Sequence, residues 1–575
     1  MKSDSFRNNR KALAALLLCT GFIAGQPLTV RATGNEQSVQ TVQQQIKVSG
    51  TVSDAMGPVI GASVVEKGNT SNGTITDVNG NFSLSVPSGA TLLISYIGYK
   101  AQEVQAVAGR VIDVTLKEDT EMLDEVVVVG FGTQKKVNLT GSVGIATAKE
   151  LESRPVSSAT QALQGLVPGL KITTNTGQLG KNMDISVRGT GTIGDGSSGA
   201  PLILIDGMEG DINTVNPQDI ENISVLKDAA ASSIYGSRAP FGVILVTTKK
   251  GKEGKISVNY NNSFRVSSPI NMPEAMDSYS FAVMMNYAGV NQGVGQDYTN
   301  DVLQKMLDFQ AGKLQYGLDE KNSSAWEDRW TKGYANTDIW KETYKSSVFS
   351  HEHNMSVTGG SEKMSYYASF NYLDQDGLIR FGEEGQKRYN ATGKINATLT
   401  DWLKFNWSTR FTRTDGWRPR AFTDSYYDGL GRGNWPNLPV YDRNGHINQD
   451  GPRQLAEGGQ RNQQIDRQYY QGAFILEPVK NWITNVEFNY RIKNDHVKEA
   501  TLTYYNYDPQ GNEINNGSQS TSLFESQLKE NYLNLNVYSS YSHSFADKHN
   551  FKVMAGFQAE KMKQHYFSVT KYGLI

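Results

Sequence analysis

A run of four valines is the segment of this sequence best suited to binding another protein. Consecutive β-branched residues favour an extended backbone, and the glycine that follows ends the run. An extended segment can join the edge of another protein's sheet, where its main chain supplies affinity and alternate side chains supply specificity. The alternative is an ordinary buried strand. We predict a partner-binding segment made of Asp124, Glu125, Val126, Val127, Val128, Val129 and Gly130.

Aromatic side chains in a long polar stretch form a second group of candidates. Aromatic rings present flat apolar faces that suit stacking on sugar rings, and they also pack the rims of β-structures. Both interpretations remain open at this point. The candidate ligand-binding residues are Trp417, Tyr426, Tyr427, Trp435 and Tyr441.

The other reactive side chains do not form a pattern that predicts catalysis or metal binding. His351 and His353 share one face of a predicted strand, but the sequence places no third ligand beside them. The neighbours Glu383 and Glu384 have no second carboxylate at the spacing that glycoside hydrolysis needs. The only cysteine is Cys19, which lies in the predicted leader. We therefore predict no catalytic residues, no metal site and no cofactor, and a protein that is not an enzyme.

The composition and the N-terminus indicate an exported protein rich in β-structure. The 575 residues include 56 Gly, 28 Tyr and 21 Phe, and the formal net charge of -2 provides no basic excess to bind nucleic acid. Basic residues precede an apolar run over 12–24, and small residues at 30 and 32 have the spacing of a cleavage site. We predict a signal peptide over 1–32 and a polar linker over 33–45.

Residues 46–118 have the pattern of a small β-sandwich, because short apolar or alternating runs are separated by turn signals. Four strings resemble the carboxypeptidase-regulatory-like domain found at the front of many outer-membrane proteins. They are Ser49-Gly50-Thr51-Val52, Gly57-Pro58 to Gly61-Ala62-Ser63-Val64, Gly73-Thr74-Ile75-Thr76-Asp77-Val78-Asn79-Gly80-Asn81-Phe82 and Ser95-Tyr96-Ile97-Gly98-Tyr99.

Residues 137–252 mix helix and strand signals. A short helix is predicted at 160–167, ended by Pro168-Gly169, and strands are predicted at 183–188, 202–205, 220–227 and 243–248. The order and spacing of five strings resemble the plug of TonB-dependent receptors. These are Leu163-Gln164-Gly165-Leu166-Val167-Pro168-Gly169-Leu170, Val187-Arg188-Gly189-Thr190, Pro201-Leu202-Ile203-Leu204-Ile205-Asp206-Gly207, Ile223-Ser224-Val225-Leu226-Lys227-Asp228-Ala229 and Ile234-Tyr235-Gly236-Ser237-Arg238. By its position before this segment, the valine run resembles a TonB box, with box and linker over 119–136.

From residue 253 to 575 the sequence alternates over long strands. In the first of them Ile256, Val258 and Tyr260 alternate with Ser257 and Asn259. Short turns between strands alternate with long connections, which is the rule for transmembrane barrels with short periplasmic turns and long extracellular loops. The predicted strands are 255–266, 348–358, 363–373, 388–399, 402–413, 467–477, 482–492, 530–545 and 550–560. Nine strands do not close a single-chain barrel, so we expect an N-terminal fragment that lacks more than half of it.

The whole set of strings resembles the SusC-like (SusC/RagA) TonB-dependent outer-membrane transporters. The predicted fold is mainly β: a small β-sandwich domain, an α/β plug domain and the first strands of a large antiparallel transmembrane β-barrel. The resemblance implies outer-membrane lipid around the barrel, a periplasmic N-terminal domain, TonB with its inner-membrane motor, a SusD-like surface lipoprotein and a glycan or peptide substrate. The alternatives are a signalling receptor, for whose extra domain residues 34–45 leave little room, and a surface adhesin.

Overall fold

The computed structural model describes residues 45–54, 57–67, 69–96, 99–117, 126–129, 132–135, 142–154, 156–174, 177–189, 192, 199–228, 232–515, 520–545 and 549–573. The chain divides into two compact units, residues 1–124 and residues 125–575. The predicted leader and the linker before residue 45 lie outside the described residues.

The first unit is a β-sandwich of a three-stranded and a four-stranded sheet, which confirms the prediction. Alternate side chains point inward, so Phe82, Leu84 and Val86 are buried while the residues between them are exposed. They pack in one core with Leu92 and Ile94 of the opposite sheet. The first sheet contains Gln45–Ser53, Asn81–Pro87 and Ile112–Thr115, and the second contains Ser63–Glu66, Asn69–Ile75, Thr91–Ser95 and Gln102–Gln105.

The segment predicted as a plug is built on a five-stranded mixed sheet. In spatial order its strands are Val143–Thr147, Ile220–Leu226, Val243–Thr248, Leu202–Ile205 and Met208–Glu209. The predicted strands at 202–205 and 243–248 are confirmed. The predicted helix at 160–167 is shorter and covers only Ala159–Leu163, because Gly165 takes a φ of 75° and turns the chain. Around the sheet lie the helix Ala148–Glu152, the hairpin of Leu170–Thr173 with Asp184–Val187, and the 3₁₀ turns Ile212–Thr214, Pro217–Asp219 and Ser233–Arg238.

Nine long antiparallel strands then form one sheet, which we call the wall sheet, with neighbours in chain order. The strands are Gly254–Ser267, Val348–Ser361, Met364–Asp376, Gly385–Thr400, Leu403–Pro419, Gln460–Val479, Trp482–Thr501, Ser522–Phe545 and His549–Tyr572. All nine lie where the alternating pattern predicts them. They are longer than predicted, reaching 24 residues in the last two, and most of the added length extends towards the long connections. About ten residues cross a bilayer, so the wall continues beyond the lipid on that side.

The two faces of the wall sheet carry opposite chemistry. In the fourth strand Arg388, Asn390 and Lys394 are buried on the inner face, whereas Ile395 and Leu399 are exposed on the outer face. A sheet that buries polar side chains and exposes apolar ones is suited to lipid outside and a filled polar lumen inside. The predicted start of a large transmembrane barrel is confirmed.

Helices that the alternating patterns did not predict occupy the long connections of the wall sheet. Ser278–Gln292 and Asn300–Gln310 pack around a core that includes Ala282, Tyr298 and Met306. Shorter helices are Arg329–Lys332, Ile339–Thr343, Asp424–Gly433 and Asp450–Glu457, and short hairpins join Glu320–Asn322 to Ala325–Trp326 and Tyr505–Tyr507 to Glu513–Asn515. In the described part of the chain, no helix is both long and apolar enough to cross a lipid bilayer.

Candidate functional site

The valine run forms a strand, Val126–Val129, that pairs antiparallel with Gly132–Lys135 in a separate two-stranded sheet. Each strand of a two-stranded sheet has one edge whose N–H and C=O groups point away from its partner. Among the sheets of the described residues, no third strand adjoins this hairpin. The main chain is therefore arranged as strand addition requires. Asp124, Glu125 and Gly130 lie outside the described residues.

A buried charged contact between plug and wall centres on Asp206, in the turn between the plug strands that end at Ile205 and begin at Met208. Asp206 has a φ of 50°, a left-handed conformation that Asp adopts more readily than most residues. Its carboxylate accepts hydrogen bonds from the Thr248 amide at 2.9 Å and hydroxyl at 2.6 Å, and from Lys394 Nζ at 2.9 Å. The Lys394 side chain is only 6% exposed. The ammonium of a wall lysine thus contacts a plug carboxylate directly.

The electrostatics of this contact keep Asp206 charged. Burial would raise its pKa, but Lys394, Arg410 and the two bonds from Thr248 together hold the pKa below its ordinary value. Lys394 also donates to the Thr248 carbonyl oxygen at 3.2 Å. Asp206 is therefore ionised at neutral pH, and separating it from Lys394 leaves a charge in the lumen.

A second anchor holds the plug at Asp219, at the end of the turn Pro217–Asp219. The Tyr367 and Ser369 hydroxyls of the third wall strand each donate to its carboxylate at 2.7 Å. Burial raises the pKa of Asp219, and the two hydroxyls offset part of the cost of keeping the carboxylate away from water. The neighbouring Asn216 amide donates to Asn354 Oδ1 at 2.9 Å.

A third anchor is Arg388 of the fourth wall strand, whose side chain is 7% exposed. Its guanidinium donates to the carbonyl oxygens of Ser157, at 2.8 Å, and Asn213, at 3.2 Å. Two strand positions further, the Asn390 amide donates to the Thr214 carbonyl oxygen at 2.7 Å. The wall therefore hydrogen-bonds to the main chain of the plug as well as to its side chains.

These anchors make the plug–wall interface mainly polar. The apolar cluster that spans it is small and consists of Met208, Tyr469 and Tyr532. The core of the plug itself is apolar and includes Leu163, Ile223 and many other buried side chains. An interface of polar contacts exposes little apolar surface when it separates. Separation of the plug from the wall therefore does not require the apolar core of the plug to unfold.

Trp417 lies near the end of the fifth wall strand and not in a loop. The strand pairs without irregularity along its length, so Trp417 shares the outward face with Phe405 and Phe411. With Asp415 and His496 it lines a cleft of about 450 Å³, and Lys387 Nζ lies 6.0 Å from its ring centroid. The structure places this candidate apart from the other four.

Tyr426 and Trp435 pack within the connections of the wall. The Trp435 ring lies 5.1 Å from that of Trp330 and 5.3 Å from that of Phe281, measured between centroids, and so joins separate connections. Tyr426 lies 6.2 Å from Phe422, and burial raises its pKa. Tyr426 and Trp330 also line a cavity of about 280 Å³. Packing accounts for most of the contacts of these two rings.

Tyr427 and Tyr441 are the exposed members of the set, with 50% and 47% of their surface accessible. Tyr427 leans on Trp340 at 5.4 Å and Tyr441 on Phe381 at 6.4 Å between ring centroids. Each ring packs against another aromatic ring and keeps about half of its surface accessible, which is the arrangement that stacking on a ligand needs.

His351 and His353 lie 5.3 Å apart, between ring centroids, on the second wall strand. They belong to an aromatic group, in which the Tyr260 hydroxyl meets His353 Nδ1 at 2.7 Å and the Phe264 ring lies 6.0 Å from that of His353. Within the described residues, no group of three or more His, Cys, Asp or Glu side chains is placed to hold a metal ion.

Two family models match the chain in the order that the fold has. The CarboxypepD_reg-like domain matches residues 48–128, and the TonB-dependent Receptor Plug Domain matches residues 135–243. The first match extends through most of the valine run, beyond the end predicted for the sandwich.

Relatives with known names extend the similarity into the wall. TonB-dependent receptor P39 of Formosa agariphila is 31% identical over 553 residues, 92% of this chain and 47% of that protein. TonB-dependent receptor SusC of Bacteroides thetaiotaomicron is 36% identical over 387 residues, 65% of this chain and 34% of that protein. This chain thus spans about a third to a half of the length of these relatives.

Among solved structures, the RagAB peptide importer in the open-open state has a similar fold. Its TM-score is 0.63 at 23% identity, over 78% of this chain and 50% of that one. The two domain matches, the relatives and the shared fold agree, and they place the protein in the outer membrane. This chain belongs to the SusC-like (SusC/RagA) family of TonB-dependent outer-membrane receptors.

Proposed function

We propose that this protein imports a bulky nutrient, an oligosaccharide or an oligopeptide, across the outer membrane with energy delivered through TonB. The observation that carries the proposal is the combination of a hairpin with an open strand edge and, directly after it, a plug held in the wall by polar anchors. A blocked lumen needs an input of work to open, and the open strand edge offers a place where that work is applied.

In the proposed cycle, TonB adds a strand to the segment Asp124–Gly130, and its inner-membrane motor pulls on it. Tension passes along the chain to the plug, which begins with the strand Val143–Thr147. The polar anchors at Asp206, Asp219 and Arg388 separate without exposing an apolar core. Water and substrate then pass between plug and wall.

The proposed partners follow from the family. TonB acts from the periplasm, where the N-terminal β-sandwich also lies, and a SusD-like surface lipoprotein covers the extracellular side. RagAB is a peptide importer, but at 23% identity this likeness concerns the fold. Both substrate classes therefore stay in the proposal. Tyr427 and Tyr441, exposed on supported rings, are the side chains we assign to substrate contact.

The role of the valine strand is tested in the full-length protein by Val127→Pro, with Val127→Thr as the matched control. Proline removes a backbone N–H and disfavours strand pairing, whereas threonine keeps the β-branched shape. We expect Val127→Pro to abolish accumulation of labelled substrate in cells and Val127→Thr to keep most of it. Surface expression and substrate binding should be the same in both.

Deletion of residues 124–130 should also stop uptake. Uptake at the normal rate by the deletion variant or by Val127→Pro would disprove the role of this segment. Ligand-dependent gene induction without any uptake would favour a signalling receptor, and cell attachment that is unaffected by the deletion would favour an adhesin.

A further inference from the structure

Three lysines lie together on the outward face of the last two wall strands. Lys561 stands opposite Leu533, Lys563 opposite Asn531, and Lys529 opposite His565. Directly opposed residues in antiparallel strands have Cβ atoms about 5 Å apart, so the three amines share one patch. We call Lys529, Lys561 and Lys563 the lysine patch.

The outward direction of the lysine patch follows from the residues that alternate with it. Glu530 is buried and accepts a hydrogen bond from Arg491 at 2.6 Å on the inner face. Glu560 is bonded to Arg238 of the plug at 2.5 Å. Side chains one position away in a strand point to the opposite face, so the three lysines point away from the lumen, and all three are exposed.

The patch stands at one edge of the apolar band of the wall. Below it, the outward positions of the ninth strand include Phe551, Val553 and Phe557, all at least half exposed. Nine residues from 551 to 559, at about 3.3 Å each and a tilt of about 40°, rise by roughly 20–25 Å. That is close to the height of the lipid-facing band, about 25 Å. Lys561 is the next outward residue, on the side of the long extracellular connections.

The charge of the patch is not neutralised within the described residues. Elsewhere on the wall, outward cations are paired: Arg413 with Asp466 at 2.7 Å between the fifth and sixth strands, and Lys387 with Asp374 at 3.3 Å between the fourth and third strands. No ion pair involves any member of the lysine patch in the described part of the chain. Around it the outward residues are neutral, including Tyr490, Ile492 and Asn531.

We propose that the lysine patch binds the phosphate-bearing headgroup of a glycolipid in the outer leaflet. Lysine lays its apolar stem along the wall and places the ammonium at the headgroup level. Anionic headgroups attract each such lysine, and the Asn531 amide adds a neutral donor within the same patch. The acyl chains of that lipid lie on the apolar band below. The proposal concerns the lipid contact of the wall and is independent of the imported substrate.

The test uses full-length protein in a neutral detergent, with diphosphorylated lipid A as the probe and native mass spectrometry as the readout. The variant is Lys529→Gln, Lys561→Gln and Lys563→Gln combined. The matched control changes three exposed lysines elsewhere that also lack ion pairs among the described residues, Lys255, Lys321 and Lys332, to Gln, so both variants lose the same charge.

At about fivefold for each lysine, we expect the patch variant to bind lipid A about a hundredfold more weakly and the control variant to bind it normally. Replacement of the three lysines by Arg should keep binding, and dephosphorylated lipid A should bind the wild-type protein as weakly as the patch variant binds lipid A. Millimolar inorganic phosphate should not compete.

Equal binding by the patch and control variants would overturn the proposal. Full competition by inorganic phosphate would also overturn it, because the site would then bind a free anion. A change in oligomeric state of the patch variant, with lipid binding intact, would assign this face to a contact between protein chains.

Discussion

Replacement of Lys394 by Met should release the plug from the wall. The change removes the cation that lies 2.9 Å from Asp206 and leaves the carboxylate, 15% exposed, without its charge partner. Removing one member of a buried ion pair typically costs about 3–5 kcal/mol. Asp206 keeps two hydrogen bonds from Thr248, so we take the lower end, about 3 kcal/mol. That corresponds to about a hundredfold larger population of the open state.

The assay measures how fast a cysteine behind the plug reacts with a maleimide. The sequence has Cys19 alone, in the predicted leader, so a Thr392→Cys reporter, at a wall position that is 8% exposed, gives a specific signal. When opening and closing are fast, the labelling rate follows the open population. We expect Lys394→Met to accelerate labelling about a hundredfold. The matched control is Lys404→Met, which changes an exposed lysine of the adjacent wall strand.

A double-mutant cycle distinguishes the effect of losing the ion pair from a nonspecific loss of stability. If the pair holds the plug, Asp206→Asn combined with Lys394→Met should cost less than the sum of the single changes, because the second change removes a charge that the first left unpaired. Labelling of Lys394→Met within threefold of the parent, or additive effects in the cycle, would refute the assigned role of this contact.

Three further outcomes follow from the same geometry. The pKa of Asp206 lies below its ordinary value of 3.8, so its stabilising contribution is complete above that value and is lost only as pH falls through the lowered pKa. The ratio of the labelling rates of Lys394→Met and its parent, in which the effect of Asp219 cancels, should therefore not change between pH 8 and 5. A disulfide between Thr147→Cys and Asn222→Cys, which are opposed in the plug sheet, should slow uptake until the disulfide is reduced. A disulfide between Thr173→Cys and Asp184→Cys in the plug hairpin should leave uptake unchanged. Equal uptake by both variants would show that the edge strand stays in place. Gly242→Ala should lower the free energy of unfolding of the plug by about 2–3 kcal/mol in urea titration, because its φ is 93° and the new Cβ would lie 2.9 Å from the Leu226 carbonyl oxygen.

The sequence predicted the wall strands well because each strand needs only a local alternation of polar and apolar residues. The strand ends were placed less well, since beyond the lipid the outward face becomes polar, as at Asp415, and the alternation that marks a strand disappears. The helix Ser278–Gln292 was missed for a related reason. It packs within its own connection, and a search for two-residue periodicity does not detect it.

The candidate site shows the same division between local and distant information. The valine strand is visible in the sequence because four β-branched residues dictate its backbone. The contact of Asp206 with Lys394 joins positions 188 residues apart, and no local pattern identifies that pairing. The turn Asp206-Gly207 and the polar inner face of the fourth strand were each predictable; their meeting depends on how the plug sits in the wall. Trp417 was assigned to a loop because its strand is longer than the alternation indicated.

The position of Val143–Thr147 in the plug sheet determines which part of the plug a pull on the valine strand would load first. Among the described residues it is an edge strand whose one partner is Ile220–Leu226, and it is the first described plug strand after the valine hairpin. In the proposed cycle, tension would arrive at Val143, which is paired with Leu226, and pass along the chain towards Thr147, which is paired with Asn222. The strand Val143–Thr147 is therefore the part of the plug sheet that a pull on the valine strand would load first.

The strand that pairs with this edge strand, Ile220–Leu226, begins directly after Asp219 and its two hydroxyl donors on the wall. Asp206, by contrast, follows Leu202–Ile205, which is separated from the edge strand by Ile220–Leu226 and Val243–Thr248. If the valine strand has its proposed role, a pull on it would disturb the strand next to the Asp219 anchor before the strand that precedes Asp206. In the proposed cycle we therefore expect the Asp219 anchor to separate before the Asp206–Lys394 pair, while the apolar plug core stays folded.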